Sequence, residues 1–188
     1  MQNDEQDLRF GAYGFLTLVD PGASVSEAIG AYGDLGGVTF VNAFVGGSFD
    51  GFVAVKSDVF ADIQALIIGP ARQSGVKVSW SIQVQAAMTL KAPHKKFPLP
   101  FPLHESLTRI RTAPHRAAAV LAEIDSVYSA KPTEDFGAHA AIVTGKRIDI
   151  LVELASSSLE TIQESIVNDL APIDGIVASD TSFAFVEE

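Results

Sequence analysis

Two aspartates carry the most suggestive chemistry in this chain. Asp50 closes the run Gly47-Ser48-Phe49-Asp50, and Asp149 closes Gly145-Lys146-Arg147-Ile148-Asp149, each just ahead of an apolar stretch. A carboxylate there is suited to accept hydrogen bonds from the amino group of a small ligand, with Gly47, Phe49 and Gly145 shaping the loop around it. It is also suited to a structural task, because an aspartate behind a glycine turn bonds backbone N–H groups and holds a hairpin. Three further side chains are candidates for catalysis. They are His139, Trp80 and Asn42, which the sequence does not tie together. Trp80, within a β-type run, reads first as a core or sheet-interface residue.

Most catalytic machinery is missing. The chain has no cysteine, which excludes thiolate nucleophiles, disulfides and Cys-based metal sites. The four histidines, His94, His104, His115 and His139, show no metal-ligand spacing. There is no Gly-x-Ser-x-Gly elbow and no phosphate-binding loop. Gly33, Gly36 and Gly37 do not follow a strand and open a helix, so they are loop composition. No catalytic constellation, metal or cofactor is expected.

The elements that position these residues occur twice. Val45 and Gly47 match Val143 and Gly145 at an offset of 98; Asp50 matches Asp149, and Ile63-Gln64 matches Ile162-Gln163, at 99; Gly75-Val76 matches Gly175-Ile176 at 100. The offset drifts only in turns, as it does in a duplicated fold. In the first copy, Tyr13–Val19 reads as a strand ended by Asp20-Pro21-Gly22. Val25, Ala28, Ile29 and Tyr32 have helical spacing, Val38–Val45 and Gly51–Lys56 form a hairpin, and Ser57 precedes a helix whose apolar face is Val59, Phe60, Ile63, Leu66 and Ile67. Val76–Val84 is the fourth strand. In the second copy, Leu107–Thr112 is a strand and Val120, Leu121, Ile124 and Val127 form a helical stripe. Phe136–Val143 and Ile148–Leu154 form a hairpin. Ser157 with Glu160 forms a capping box before Leu159, Ile162, Ile166 and Leu170, and Ile176–Val186 ends the copy.

The order β-α-β-β-α-β predicts an α+β fold. Each copy is a ferredoxin-like module, a four-stranded antiparallel sheet with both helices on one face. Strands such as Gly51-Phe52-Val53-Ala54-Val55 are apolar at nearly every position, so the face without helices must also be covered. The two sheets are therefore expected to pack face to face, within the chain or across a dimer, with a pocket between them. The modules are placed at residues 10–85 and 106–188. The connecting segment, 86–105, holds Pro93, Pro98, Pro100 and Pro102 and is extended and stiff. A module of about 80 residues buries only roughly 60% of its unfolded surface, which favours packing on a partner module or another chain. A homo-oligomer is expected on the same ground.

A net charge of −10 argues against nucleic acid, since phosphate binding needs clustered cations and the one cluster here is Lys91, Lys95 and Lys96. No apolar run approaches the roughly 18 residues of a membrane span. Residues Met1–Arg9 lack the basic start and apolar run of a signal peptide, and cytoplasmic residence is the default expectation.

Each repeat resembles the ligand-binding module of the Lrp/AsnC regulators, in a tandem form without their helix-turn-helix. The likeness rests on the element order and on a Gly-x-aromatic-Asp hairpin, Gly47-Ser48-Phe49-Asp50 followed by Gly51-Phe52-Val53-Ala54-Val55. The second copy has an extra residue and lacks the aromatic. The resemblance implies a small effector, such as an amino acid, bound at Gly47, Phe49, Asp50, Gly145 and Asp149. It also places the chain in the wider dimeric α+β barrel superfamily, which includes GYD-type proteins, small monooxygenases and haem-handling proteins. The reading favoured here is a non-catalytic effector-binding or assembly module; the alternative is a small barrel enzyme of the monooxygenase or haem-handling type.

Overall fold

The computed structural model describes residues 10–19, 24–33, 35–89, 104–131, 136–145 and 148–184. The first module comprises β1 (Phe10–Leu18), α1 (Val25–Gly33), β2 (Val38–Val45), β3 (Gly51–Ser57), α2 (Phe60–Gln73) and β4 (Val76–Thr89). The second comprises β5 (His104–Thr112), α3 (Ala117–Ser129), β6 (Phe136–Gly145), β7 (Ile148–Ser156), α4 (Leu159–Ser165), which runs on as a π-helical turn over Ile166–Leu170, and β8 (Ile176–Ala184). The eight antiparallel strands close into one barrel in the order β1-β3-β2-β8-β5-β7-β6-β4. Each module keeps its own four-stranded sheet, β4-β1-β3-β2 and β8-β5-β7-β6, and the sheets meet along two seams. One seam is long: β4 pairs with β6 from Ser81↔Gly145 to Thr89↔His139. The other joins only Phe44↔Ala184 and Val45↔Phe183.

Closure explains the uninterrupted apolar strands. A helix-side core in the first module gathers Ala12, Leu16, Ala28, Tyr32, Val53 and Ile67, and its counterpart in the second gathers Ile110, Ile124, Tyr128, Phe136 and Val152. A third core fills part of the barrel, where Phe15, Phe44, Phe49 and Phe52 meet Leu107, Ala141, Val143 and Leu151 of the other module. The strands of β3 and β7 thus lie between two cores, and both of their faces lose water. The sheet-to-sheet packing occurs within the chain.

Several local expectations shift. Val59 and Phe60 are 52% and 46% exposed and lie off the core face of α2, because Val59 is still extended and the helix begins after it. Ser57 does not cap α2; its Oγ accepts from Val59 N at 3.1 Å, one step ahead of the helix. The stripe of α3 ends on buried Tyr128 rather than Val127. Ser158, not Ser157, caps α4, accepting from Thr161 N at 3.3 Å, and that one-residue shift turns Leu159 outward. Strand pairing continues to Thr89 and resumes at His104, positions the sequence assigned to the connecting segment. The four linker prolines and Lys91, Lys95 and Lys96 lie outside the described residues. No helix among the described residues is long and apolar enough to cross a membrane.

Candidate active site

Strand register decides which side chains enter the barrel. Side chains alternate between faces, so Leu107 in the barrel core carries Glu105 and Arg109 of β5 to the same side, and Leu151 of β7 does the same for Glu153. Glu153 lies opposite His139 of β6 and opposite Leu107 of β5. Directly opposed residues place their Cβ atoms about 4.5–5.5 Å apart, so Glu153 and His139 are side-chain neighbours. From the first module, Tyr13 of β1 stacks on Phe52 with ring centroids 5.7 Å apart. Its hydroxyl donates to Gln83 Oε1 at 2.9 Å. Gly11 makes this possible, since a Cβ there would stand 2.8 Å from the Gln83 Oε1 atom. Lys56 lies opposite Gly11 on β3.

These groups act on one another electrostatically. Burial, reinforced by the negative charge of Glu105, pushes the Glu153 carboxyl up to about 7. Burial and then the charge of Glu153 push Tyr13 up to about 12, so its phenol remains a proton donor at neutral pH. Burial and then the positive charge of Lys56 hold the His139 imidazole below its usual range, which keeps it neutral. A carboxyl poised near neutrality beside a neutral imidazole is an acid–base pair that can take or return a proton in either step of a reaction.

The duplication supplies an internal control. Tyr13 opposes Ala54 as Leu107 opposes Glu153, and Phe40 opposes Ala54 as His139 opposes Glu153. By the same pairings Lys56 corresponds to Ala155 and, through Ser81 and Ser182, Gln83 corresponds to Ala184. Each polar member of the cluster therefore has an apolar counterpart in the other copy. The polar cluster exists once.

Of the hairpin residues singled out by sequence, Phe49 enters the barrel, and the aspartates and glycines stand apart from this cluster. Asp50 Oδ2 accepts from Leu18 N at 2.9 Å, and Asp149 Oδ2 accepts from Thr112 N at 2.7 Å and Thr112 Oγ1 at 3.2 Å. Both carboxylates tie the hairpin to the end of the first strand of their module. Gly47 and Gly145 sit at the seams: a Cβ on Gly47 would press into Ser182 and one on Gly145 into Ser81. Phe49 is buried in the barrel core, 5.3 Å from the Phe15 ring. Of the three catalytic candidates only His139 joins the cluster. Trp80 packs on the helix side of the first module, and Asn42 Oδ1 accepts from Ala43 N at 2.8 Å. Glu153, Tyr13, Gln83 and Lys56 were missed. The available signal was Glu153 itself, a lone charge inside the apolar run Ile150–Ala155.

No family model and no curated protein matches the sequence. Solved structures do match along nearly its whole length. A mutant chlorite dismutase from Candidatus Nitrospira defluvii aligns with a TM-score of 0.58 at 12% identity, covering 95% of this chain and 92% of that one. A presumed monooxygenase from Fusobacterium nucleatum aligns at 0.59 and 10% identity, covering 96% and 92%. Another from Lactobacillus acidophilus aligns at 0.58 and 8%, covering 94% and 93%. This is the dimeric α+β barrel fold. Here one polypeptide supplies both halves of the barrel. The resemblance read from the hairpins holds at that level and not for the Lrp/AsnC module in particular. The expectation of a non-catalytic effector module is corrected: the solved structures that share this fold include a chlorite dismutase and presumed monooxygenases.

Proposed function

We propose that this chain is an enzyme acting on a small molecule inside the barrel, with monooxygenase-type chemistry as its reaction class. The observation that carries the reading is Glu153, a partly buried carboxyl raised to about 7, opposite His139 and present in only one of the two copies. The likeness to presumed monooxygenases supports the reaction class. Glu153 takes a proton from an activated C–H or O–H of the substrate. The positive charge of Lys56, which already acts on His139, favours the resulting anion, while the Tyr13 hydroxyl donates to Gln83 Oε1. The balanced reaction inserts one atom of O2 at a methylene carbon to give a carbonyl, and the second oxygen leaves with the two hydrogens as water. The substrate supplies all the electrons.

A haem, which the other branch of the alternative would need, would take His139 as its axial ligand, since this neutral barrel-facing imidazole has a carboxyl, Glu153, opposite it as ligating histidines commonly do. Iron needs an axial His, Cys, Met or Tyr. Tyr32 and Tyr128 of the helix-side cores are both raised to about 12 and stay protonated, so neither offers a phenolate.

The test is an oxygen-uptake screen over small carbon acids and phenols. Glu153→Gln is expected to lower turnover by roughly 10²–10⁴-fold while the fold is retained. Unchanged turnover in a folded Glu153→Gln protein would remove the reading, and hemin binding with a Soret band lost in His139→Ala would replace it with the haem branch.

A further inference from the structure

We propose that Arg109 is the anion anchor of the barrel and that the substrate carries a carboxylate on an apolar body. This inference rests on the barrel interior being the ligand site and adds to it the class of ligand. The Arg109 guanidinium lies 5.1 Å from the Phe15 ring centroid and 4.8 Å from that of Phe49, and its side chain is only 17% exposed. Its Nη2 donates to Asp180 Oδ2 and Ser48 Oγ. Its Nε is buried and donates to nothing among the described residues.

A guanidinium has five N–H donors in a planar fork, and the two partners on Nη2 leave the Nε–H unmet. Leaving a buried donor unsatisfied costs about 1–3 kcal/mol. Such a group calls for a partner that is not part of the chain. Asp180 is 37% exposed, so it offsets the charge from the solvent side of the cluster. Burial opposes the charged form of Arg109 while Asp180 supports it. The duplication again shows what is special. Arg109 follows Leu107 by two residues as Phe15 follows Tyr13, so the other copy has a phenylalanine at the matched place.

The ligand chemistry follows from the surroundings. With Nη2 engaged, a carboxylate would meet Arg109 through a charge-assisted bond at Nε. One arginine, already partly neutralised by Asp180, suits a monoanion. A phosphate dianion would lose more hydration than this site returns. The rings of Phe15 and Phe49 call for an apolar or aromatic body next to the carboxylate. Arg109 and Glu153 stand on diagonal positions of adjacent strands, since Arg109 opposes Leu151 and Leu107 opposes Glu153. Diagonal neighbours lie about 7–8 Å apart, which places the anchor within the length of a small aromatic acid from the acid–base pair.

The test uses benzoate and its neutral isostere benzamide as probes, with calorimetry on the full chain. Benzoate is expected to bind roughly tenfold more tightly than benzamide, as a charge-assisted pair predicts. The preference should vanish in Arg109→Gln. Asp180→Asn, which removes the competing carboxylate, should strengthen benzoate binding. It also decides the matter if Arg109→Gln fails to fold, because an arginine that only pins the seam would give no gain in affinity. Equal binding of the two probes, or no binding of either, overturns the anchor. Glu153→Gln should retain the benzoate preference. An intact preference with unchanged turnover in that variant would remove the acid–base reading and leave the anchor standing.

Discussion

Replacing Glu153 by glutamine should make the protein more stable, and only above mildly acidic pH. The carboxyl is raised from 4.5 to about 7 on folding. In the unfolded chain it ionises above its ordinary value, while the native protein holds the proton until near neutrality. Between those two values the native state binds more protons, so stability from this group falls as pH rises and levels off above about 8. A shift from 4.5 to about 7 corresponds to about 3 kcal/mol at full burial, and to about 1–3 kcal/mol for a side chain that water still reaches. A glutamine at this position keeps the shape and never ionises. The gain of Glu153→Gln over the parent should be near zero at pH 4.5 and reach roughly 3–10 °C in Tm at pH 8.5. His139 has the opposite sign: its folded pKa is depressed, so its contribution is lost as pH falls below its ordinary range. That slope is common to both proteins and cancels in the difference. The comparison should be repeated in a His139→Gln background to expose coupling between the neighbours. Paired melts from pH 4.5 to 8.5 make the measurement. A pH-independent difference would mean that folding leaves the Glu153 carboxyl unshifted, a loss of stability at high pH would mean that it is ionised in a favourable pairing, and either outcome makes the acid–base assignment wrong.

Gly145→Ala puts a Cβ 3.0 Å from the Ser81 Cα atom, and Gly47→Ala puts one 3.0 Å from Ser182 Cβ and from the Thr181 carbonyl. Each should cost about 1–3 kcal/mol in urea unfolding, with the Gly47 variant partly rescued by Ser182→Ala, because Oγ is the nearest atom. Asp149→Ala removes the acceptor of Thr112 N and Oγ1 and should cost about 1–2 kcal/mol, with no change in benzoate affinity. A folded Asp149→Ala protein that loses probe binding would place the second hairpin at the ligand site.

The fold was legible because its signals are local and doubled. The drifting offsets between Val45 and Ile176 located both hairpins and both second helices, and apolar runs on both faces of a strand required the sheets to face each other. The exact starts of α2 and α4 were not legible, since Ser57, Ser157 and Ser158 are all chemically able to cap and only backbone geometry selects among them. The site was hidden for another reason. Tyr13, Gln83, His139 and Glu153 are spread over four strands and two modules, and only the barrel register brings them together. The hairpin motif was conspicuous because duplication preserved it, and what duplication preserves here is the architecture: the strand-end carboxylates of Asp50 and Asp149 and the seam glycines.

The difference between the copies is therefore the better guide to chemistry. A duplicated module offers two equivalent positions for every barrel-facing residue. Where Phe40 and Ala54 stand in one copy, His139 and Glu153 stand in the other. The apolar half is packed with Phe15, Phe44, Phe49 and Phe52, whose burial stabilises the barrel by roughly 1.5–3 kcal/mol per ring. The polar half carries the cost of a desolvated carboxylate, up to about 3 kcal/mol. Closing both modules in one chain lets the two halves diverge in this way. A symmetric pair of identical modules would have to place Glu153 twice or not at all, and would lose either the aromatic packing or the acid–base pair.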